Sequence, residues 1–224
     1  MSKIPYNIIS TGSKGNAVVI NRVALVDCGV SYKSLEPYVN DLRIVLLTHE
    51  HTDHFRASTI KTLAERRPSL RFGCGAWLVK KLLDAGVQPR NIDVFYFANC
   101  SYNYGLFIVK PVPLVHNVPN CGYKLEFADG RKAFYATDTN TLDGIEAPDY
   151  DLYLVEANYE DDEIKHRISE KKVNQEYIYE LDVLKNHLSK QKCDDWIYKN
   201  IGATGEYVYL HGHESRESKE IQEE

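Results

Sequence analysis

The sequence predicts an α/β (α+β) protein in which two β-sheets pack face to face with helices outside. Two β-rich blocks, the first fifty residues and residues 92–138, are separated and followed by helix-patterned segments. Hydrophobic residues make up 43% of the 224, enough to bury one large core. The chain shows no internal repeat or low-complexity linker, so a single domain over 1–224 is expected, with an acidic tail at about 215–224.

Taken in order, YNIIS, NAVVI, VALVDC and RIVLLTH read as short strands punctuated by Gly12, Gly15 and Gly29. FRASTIKTLAERR carries Ile60, Leu63 and Ala64 at helical spacing, and AWLVKKLLDAG stops at Gly86, a residue suited to the end of a helix. IDVFYF, GLFIVKPVPLVH, GYKLEF and KAFYATD return to the strand pattern, and Asp129-Gly130 marks a hairpin between the last two. DLYLVEA follows as an apolar strand. Helices are expected over about Asp161–Lys172, at YIYELDVLK and over about Ser189–Asn200, then a last strand, YVYLH.

Five scattered cysteines with no CxxC pair argue against a disulfide framework and for a reducing compartment. No segment approaches the roughly 20 apolar residues of a membrane span, so a cytoplasmic protein without membrane association is expected. The formal charge of −5 excludes a broad basic face for gripping a long nucleic acid and leaves local clusters, KHRISEKK at 165–172 and KNHLSKQK at 185–192. The chain leaves oligomeric state open, a homodimer included.

THEHTDH, residues 48–54, sets His49, His51, Asp53 and His54 in a turn after a strand. Imidazole and carboxylate suit zinc, manganese or iron, and the lack of cysteine argues for a catalytic rather than a closed structural site. One loop cannot surround two cations. His116 and Asp138 stand at the ends of strand-like runs, where side chains are delivered to a sheet edge.

HEHTDH, His116, the ATDT segment with Asp138, and a late histidine resemble the ordered motifs of the metallo-β-lactamase superfamily, hydrolases with a four-layer αββα sandwich. VALVDCG, with Asp27, is similar to the family's first motif, whose aspartate supports the metal loop. The resemblance implies two divalent ions, Zn2+ or Mn2+. His49, His51 and His116 would hold one, Asp53, His54 and a late histidine the other, with Asp138 bridging. Asp53 would also hold or receive a proton from the water between them. HGHES supplies two candidates for the late ligand; a strand followed by H-x-S favours His213, with His211 as the alternative.

GSKGNAVVI resembles the opening of the YycJ (WalJ) exonuclease branch, related to RNase Z. LVEANY and NHLS resemble that branch's later segments. The likeness assigns Glu156 and His187 to catalysis, as a hydrogen-bonded pair assisting at the scissile phosphate. His116-Asn117-Val118 and Asn186 depart from the branch pattern, which bears on substrate choice. The implied function is phosphodiester hydrolysis by a metal-bridging hydroxide, as a nuclease on DNA. The alternative is a phosphodiesterase for cyclic nucleotides or related small signals. Thioester or lactam hydrolysis, and a non-catalytic binding module, have less support.

Overall fold

A computed structural model of the protein describes residues 3–97 and 100–212. The first sheet is formed by β1 (Tyr6–Ser10), β2 (Ala17–Ile20), β3 (Ala24–Val26), β4 (Ile44–Leu47), β5 (Arg71–Gly75) and β6 (Ile92–Phe95), in that spatial order. Its first three strands pair antiparallel and β3 to β6 run parallel. The second sheet is formed by β7 (Tyr102–Asn103), β8 (Phe107–Leu114), β9 (Asn120–Phe127), β10 (Lys132–Ala136), β11 (Leu152–Glu156) and β12 (Glu206–Leu210). Here β7 to β10 are antiparallel and β10 to β12 parallel.

Strand alternation builds the layers, because successive side chains point to opposite faces. Val18, Ile20, Val26, Ile44 and Leu46 pack between the sheets against Tyr123, Leu125, Tyr135, Leu152 and Leu154. Their neighbours Val19, Leu25, Val45 and Leu47 face outward, under α1 (Tyr32–Leu35), α2 (Ala57–Arg66) and α3 (Val79–Asp84). On the other side Phe134, Tyr153 and Val155 meet Trp196 and Ile197 of α6 (Lys190–Asn200). The order is helix, sheet, sheet, helix. A smaller cluster, Tyr159, Ile164 and Ile168, lies beneath α4 (Asp161–Val173) and α5 (Glu180–Asn186).

Every strand and helix expected above is present, most with shorter bounds, while β9 starts two residues earlier and α4 ends one residue later than expected. The structure adds α1, β7 and β5, the last with a sequence, RFGCG, that has no strand signature, since glycine is disfavoured in strands. Its glycines are there for packing: a Cβ on Gly73 would lie 2.4 Å from the Phe95 ring, and one on Gly75 2.3 Å from the Trp77 ring. Pro111 and Pro113 are tolerated in β8 because the two-residue β7 pairs only with Ile108 and Val109, so the prolines interrupt no ladder on that side. Among the described residues no helix is long and apolar enough to cross a membrane.

Candidate metal centre

The parallel strands of both sheets end at one edge, and the loops there carry the chemistry. Asp27 follows β3, His49 to His54 follow β4, Asp138 follows β10, Glu156 ends β11 and His211 follows β12. Three of these residues sit in the left-handed backbone region, Asp27 at φ 60°, Asp138 at 57° and His211 at 55°. Each turns the chain sharply at its strand end. Such conformations persist where the surrounding structure holds them, and they collect at functional sites.

Asp27 is completely buried and organises the loop after β4. Its Oδ1 accepts from Thr48 N and Thr48 Oγ1, both at 2.9 Å, and its Oδ2 pairs with His54 Nδ1 at 2.7 Å. The last contact leaves His54 Nε2 facing the cluster. His49 Nδ1 meets Thr48 Oγ1 at 2.9 Å, and His116 Nδ1 donates to Asn186 O at 3.0 Å. These partners assign the proton to Nδ1 in both rings and leave both Nε2 lone pairs free, the usual arrangement behind a metal-binding imidazole.

Two groups of side chains result. His49, His51 and His116 present three nitrogens, with His49 Nε2 3.1 Å and His116 Nε2 3.4 Å from His51 Nδ1. Asp53, His54 and His211 form the second, with Asp53 Oδ2 3.6 Å from His54 Nε2 and 3.9 Å from His211 Nε2. Asp138 stands between them: Oδ2 is 3.0 Å from His54 Nε2, and Oδ1 is 3.5 Å from His211 Nε2 and 3.9 Å from His116 Nε2. Within each group the ligand-capable atoms lie within 4.8 Å of one another.

This donor set fits divalent cations. Burial drives the proton off His49, lowering its pKa to about 2 despite Asp138. Burial opposes charge on His54 too, but Asp138 and Asp27 outweigh it and raise its pKa to about 10. His211 is likewise pulled well above its ordinary range by Asp138, Asp53 and Glu156 against the effect of burial. The carboxylates thus demand positive charge at this point, and a metal ion supplies it without protonating the rings. His211 Nε2 and Asp138 Oδ2 are buried with no hydrogen-bond partner, as expected of atoms aimed at a cation.

Glu156 is completely buried beside the second group. His187 Nδ1 donates to its Oε1 at 2.7 Å, and Oε2 accepts from Thr139 N at 2.9 Å. The His187 and His211 rings stack with centroids 5.2 Å apart, and His187 Nδ1 is 3.8 Å from Asp138 Oδ1. Ser189 also caps α6, accepting from Lys192 N at 3.3 Å. Of the two late histidines, His211 is placed in the cluster; His213 lies outside the described residues.

One contributor was not singled out from sequence. Asn16, in GSKGN, is buried and clamps the metal loop. Its backbone N donates to Asp53 O at 2.6 Å, and its Nδ2 lies 2.8 Å from His54 Nε2 and 3.3 Å from Asp53 Oδ2. The glycines around it permit the approach, since a Cβ on Gly29 would fall 1.7 Å from Asp53 O and one on Gly15 2.8 Å from Gly29 O. The same loop reaches the other sheet through Thr11 Oγ1, which accepts from His211 N at 2.7 Å. The motif is visible in sequence, but its partners lie 37 and 38 residues away.

The basic run at 165–172 is not the free cationic surface its composition suggests. Lys165 pairs with Asp162, His166 with Glu170, Arg167 with Glu163 and Lys171 with Glu180.

A four-layer sandwich with a histidine and aspartate cluster at the strand ends defines a metallo-β-lactamase fold. Residues 22–176 match the family model described as the beta-lactamase superfamily domain, and the chain belongs to that superfamily, which places it among metal-dependent hydrolases that bind divalent ions. The chain is 24% identical to the exodeoxyribonuclease WalJ of Streptococcus pneumoniae, over 95% of this chain and 82% of that protein. Among solved structures it resembles the metallo-β-lactamase fold protein YhfI of Bacillus subtilis (TM-score 0.70, 16% identity, 99% of this chain and 92% of that one). Human tRNase Z, short form, is similar as well (TM-score 0.69, 16% identity, 93% and 92%).

Proposed function

We propose that the protein is a dinuclear metal-dependent phosphodiesterase that acts as a nuclease on DNA. The observation that carries this reading is the Glu156–His187 pair, hydrogen-bonded at 2.7 Å and set directly against the metal-ligand cluster. Such a pair suits a phosphodiester, because the leaving oxygen needs a proton or a compensating charge. The likeness to WalJ, named for exodeoxyribonuclease activity, supports the DNA assignment.

In this reading His49, His51 and His116 would hold one cation, Asp53, His54 and His211 the other, and Asp138 would serve both. The chemistry supplied by two bound cations, Zn2+ or Mn2+, is activation of water and neutralisation of charge on the phosphate. Asp53 also holds or receives a proton of the attacking water. His187, oriented by Glu156, protonates the leaving oxygen from its imidazolium form or stabilises its charge. Asp27, Thr48 and Asn16 keep the ligand loop in place.

A second reading, a phosphodiesterase for cyclic or other small nucleotides, is favoured by one observation. Four of the five basic residues of α4, Lys172 excepted, are paired with carboxylates, which removes much of the cationic surface a long DNA strand would use. Incubating Mn2+-loaded and Zn2+-loaded protein with linear duplex DNA and with a panel of cyclic nucleotides separates the two. Metal-dependent loss of DNA, absent in Asp138→Ala, is the expected result. Turnover of a cyclic nucleotide with DNA left intact would transfer the protein to the second reading.

A further inference from the structure

A groove of about 320 Å³ opens between α6 and the loop that follows Asp138, a volume within the range of small-ligand sites. Two contacts tie its lining to the neighbourhood of the metal centre. Asn140, two residues beyond Asp138, donates from Nδ2 to Lys185 O at 2.9 Å, just before His187. Leu188, next to His187, directs its N–H toward Glu156 Oε2 at 3.4 Å. The groove therefore lies on the side of the centre where His187 stands.

Its lining combines three kinds of chemistry. Leu188 and Trp196 are apolar, Lys192 and Lys199 cationic, and Asp143 and Asp195 anionic. Among the described residues Lys192 and Lys199 enter no ion pair, although Lys165, Lys171, Lys185 and Lys190 all do. Lys192 Nζ reaches only a backbone oxygen, Asn140 O, at 3.4 Å. A cationic pair alone would suit any anion. A cationic pair beside carboxylates and an apolar floor suits a ligand that carries a phosphate, N–H donors and a flat apolar face together, and a nucleotide has all three.

We propose that this groove is a nucleotide subsite that takes the nucleotide on the leaving side of the scissile phosphate. Its base lies over the accessible edge of Trp196, base N–H groups meet Asp143 or Asp195, and Lys192 and Lys199 neutralise its phosphate. The assignment rests on the phosphodiesterase reading, in which His187 marks the leaving side. A free nucleotide shares this chemistry, so the test has two arms.

The chain has two tryptophans, and Trp77→Phe leaves Trp196 as the only one. Full-length, metal-loaded Trp77→Phe protein is titrated with a thymidine tetranucleotide carrying phosphorothioate linkages, and separately with adenosine monophosphate, while Trp196 fluorescence is read. A saturable change with the tetranucleotide is expected, with its midpoint raised about tenfold in Lys192→Glu/Lys199→Glu and by less in Lys192→Gln/Lys199→Gln. No saturable change with either probe, or a midpoint that charge reversal does not move, overturns the proposal. Saturation by the mononucleotide alone overturns the strand assignment. Hydrolysis of bis(p-nitrophenyl) phosphate by the same protein is scored separately; its absence would sink the phosphodiesterase reading, and the titration would still decide whether the groove binds nucleotides.

Discussion

His187 donates from Nδ1 to Oε1 of Glu156 at 2.7 Å, and the carboxylate that receives this bond has no exposed surface. A buried carboxylate whose other oxygen is held by Thr139 N cannot swing away, so the imidazole is held in place beside Asp138, with Nδ1 3.8 Å from its Oδ1. If that ring serves the leaving group, His187→Ala lowers kcat on a phosphodiester by about 10²- to 10³-fold with a smaller change in KM. Glu156→Gln lowers it less. Steady-state kinetics on bis(p-nitrophenyl) phosphate, beside metal content by mass spectrometry, check this; a His187→Ala protein with unchanged kcat removes the role.

Asp138 is the carboxylate that reaches both ligand groups. Asp138→Ala is expected to lose at least one bound ion and about 10³-fold or more of turnover, because both the shared ligand and the charge that draws the cations disappear. A fully active variant would refute the dinuclear centre. The parallel pair His211→Ala and His213→Ala decides the late ligand, with loss of an ion expected only in the first.

Asn16 binds no metal in this reading, yet its backbone N holds the Asp53 carbonyl and its Nδ2 lies against Asp53 Oδ2 and His54 Nε2. Asn16→Ala is expected to weaken the Asp53, His54 and His211 site by about 10- to 100-fold while the three-histidine site keeps its affinity. Competitive metal titration against a chromogenic chelator measures the two affinities. Equal weakening of both sites would mean that Asn16 acts on the whole fold.

Glu180 gives a pH dependence remote from the metal centre. Burial opposes its charge, but the ion pair with Lys171 at 2.7 Å outweighs that and holds its pKa below the ordinary 4.5. A lowered carboxylate pKa stabilises the fold above the unfolded value and loses that contribution as pH falls through the folded one. The α4–α5 hairpin is therefore expected to lose hydrogen-exchange protection below about pH 4.5. Glu180→Gln, which leaves Lys171 unpaired, is expected to cost about 2 kcal/mol of local stability at neutral pH and to abolish this acid sensitivity. Unaltered exchange across 161–186 in both experiments would argue against the pair.

By itself the sequence determined most of the strands and helices, since period-2 and helical apolar patterns are local signals, and it determined the family through His49, His51, Asp53 and His54, which lie within six residues. It pointed to His116 and Asp138 because strand ends are also local. Only the tertiary structure decided what depends on distant chain segments meeting. Two sheets had to pack before Asp138 could stand 3.0 Å from His54, or His211 enter the same cluster after β12. The strand RFGCG was illegible because its glycines answer to Phe95 and Trp77 rather than to strand propensity. The basic run of α4 read as a cationic patch because composition counts charges but not their partners, and in the fold each of those partners is a neighbouring carboxylate.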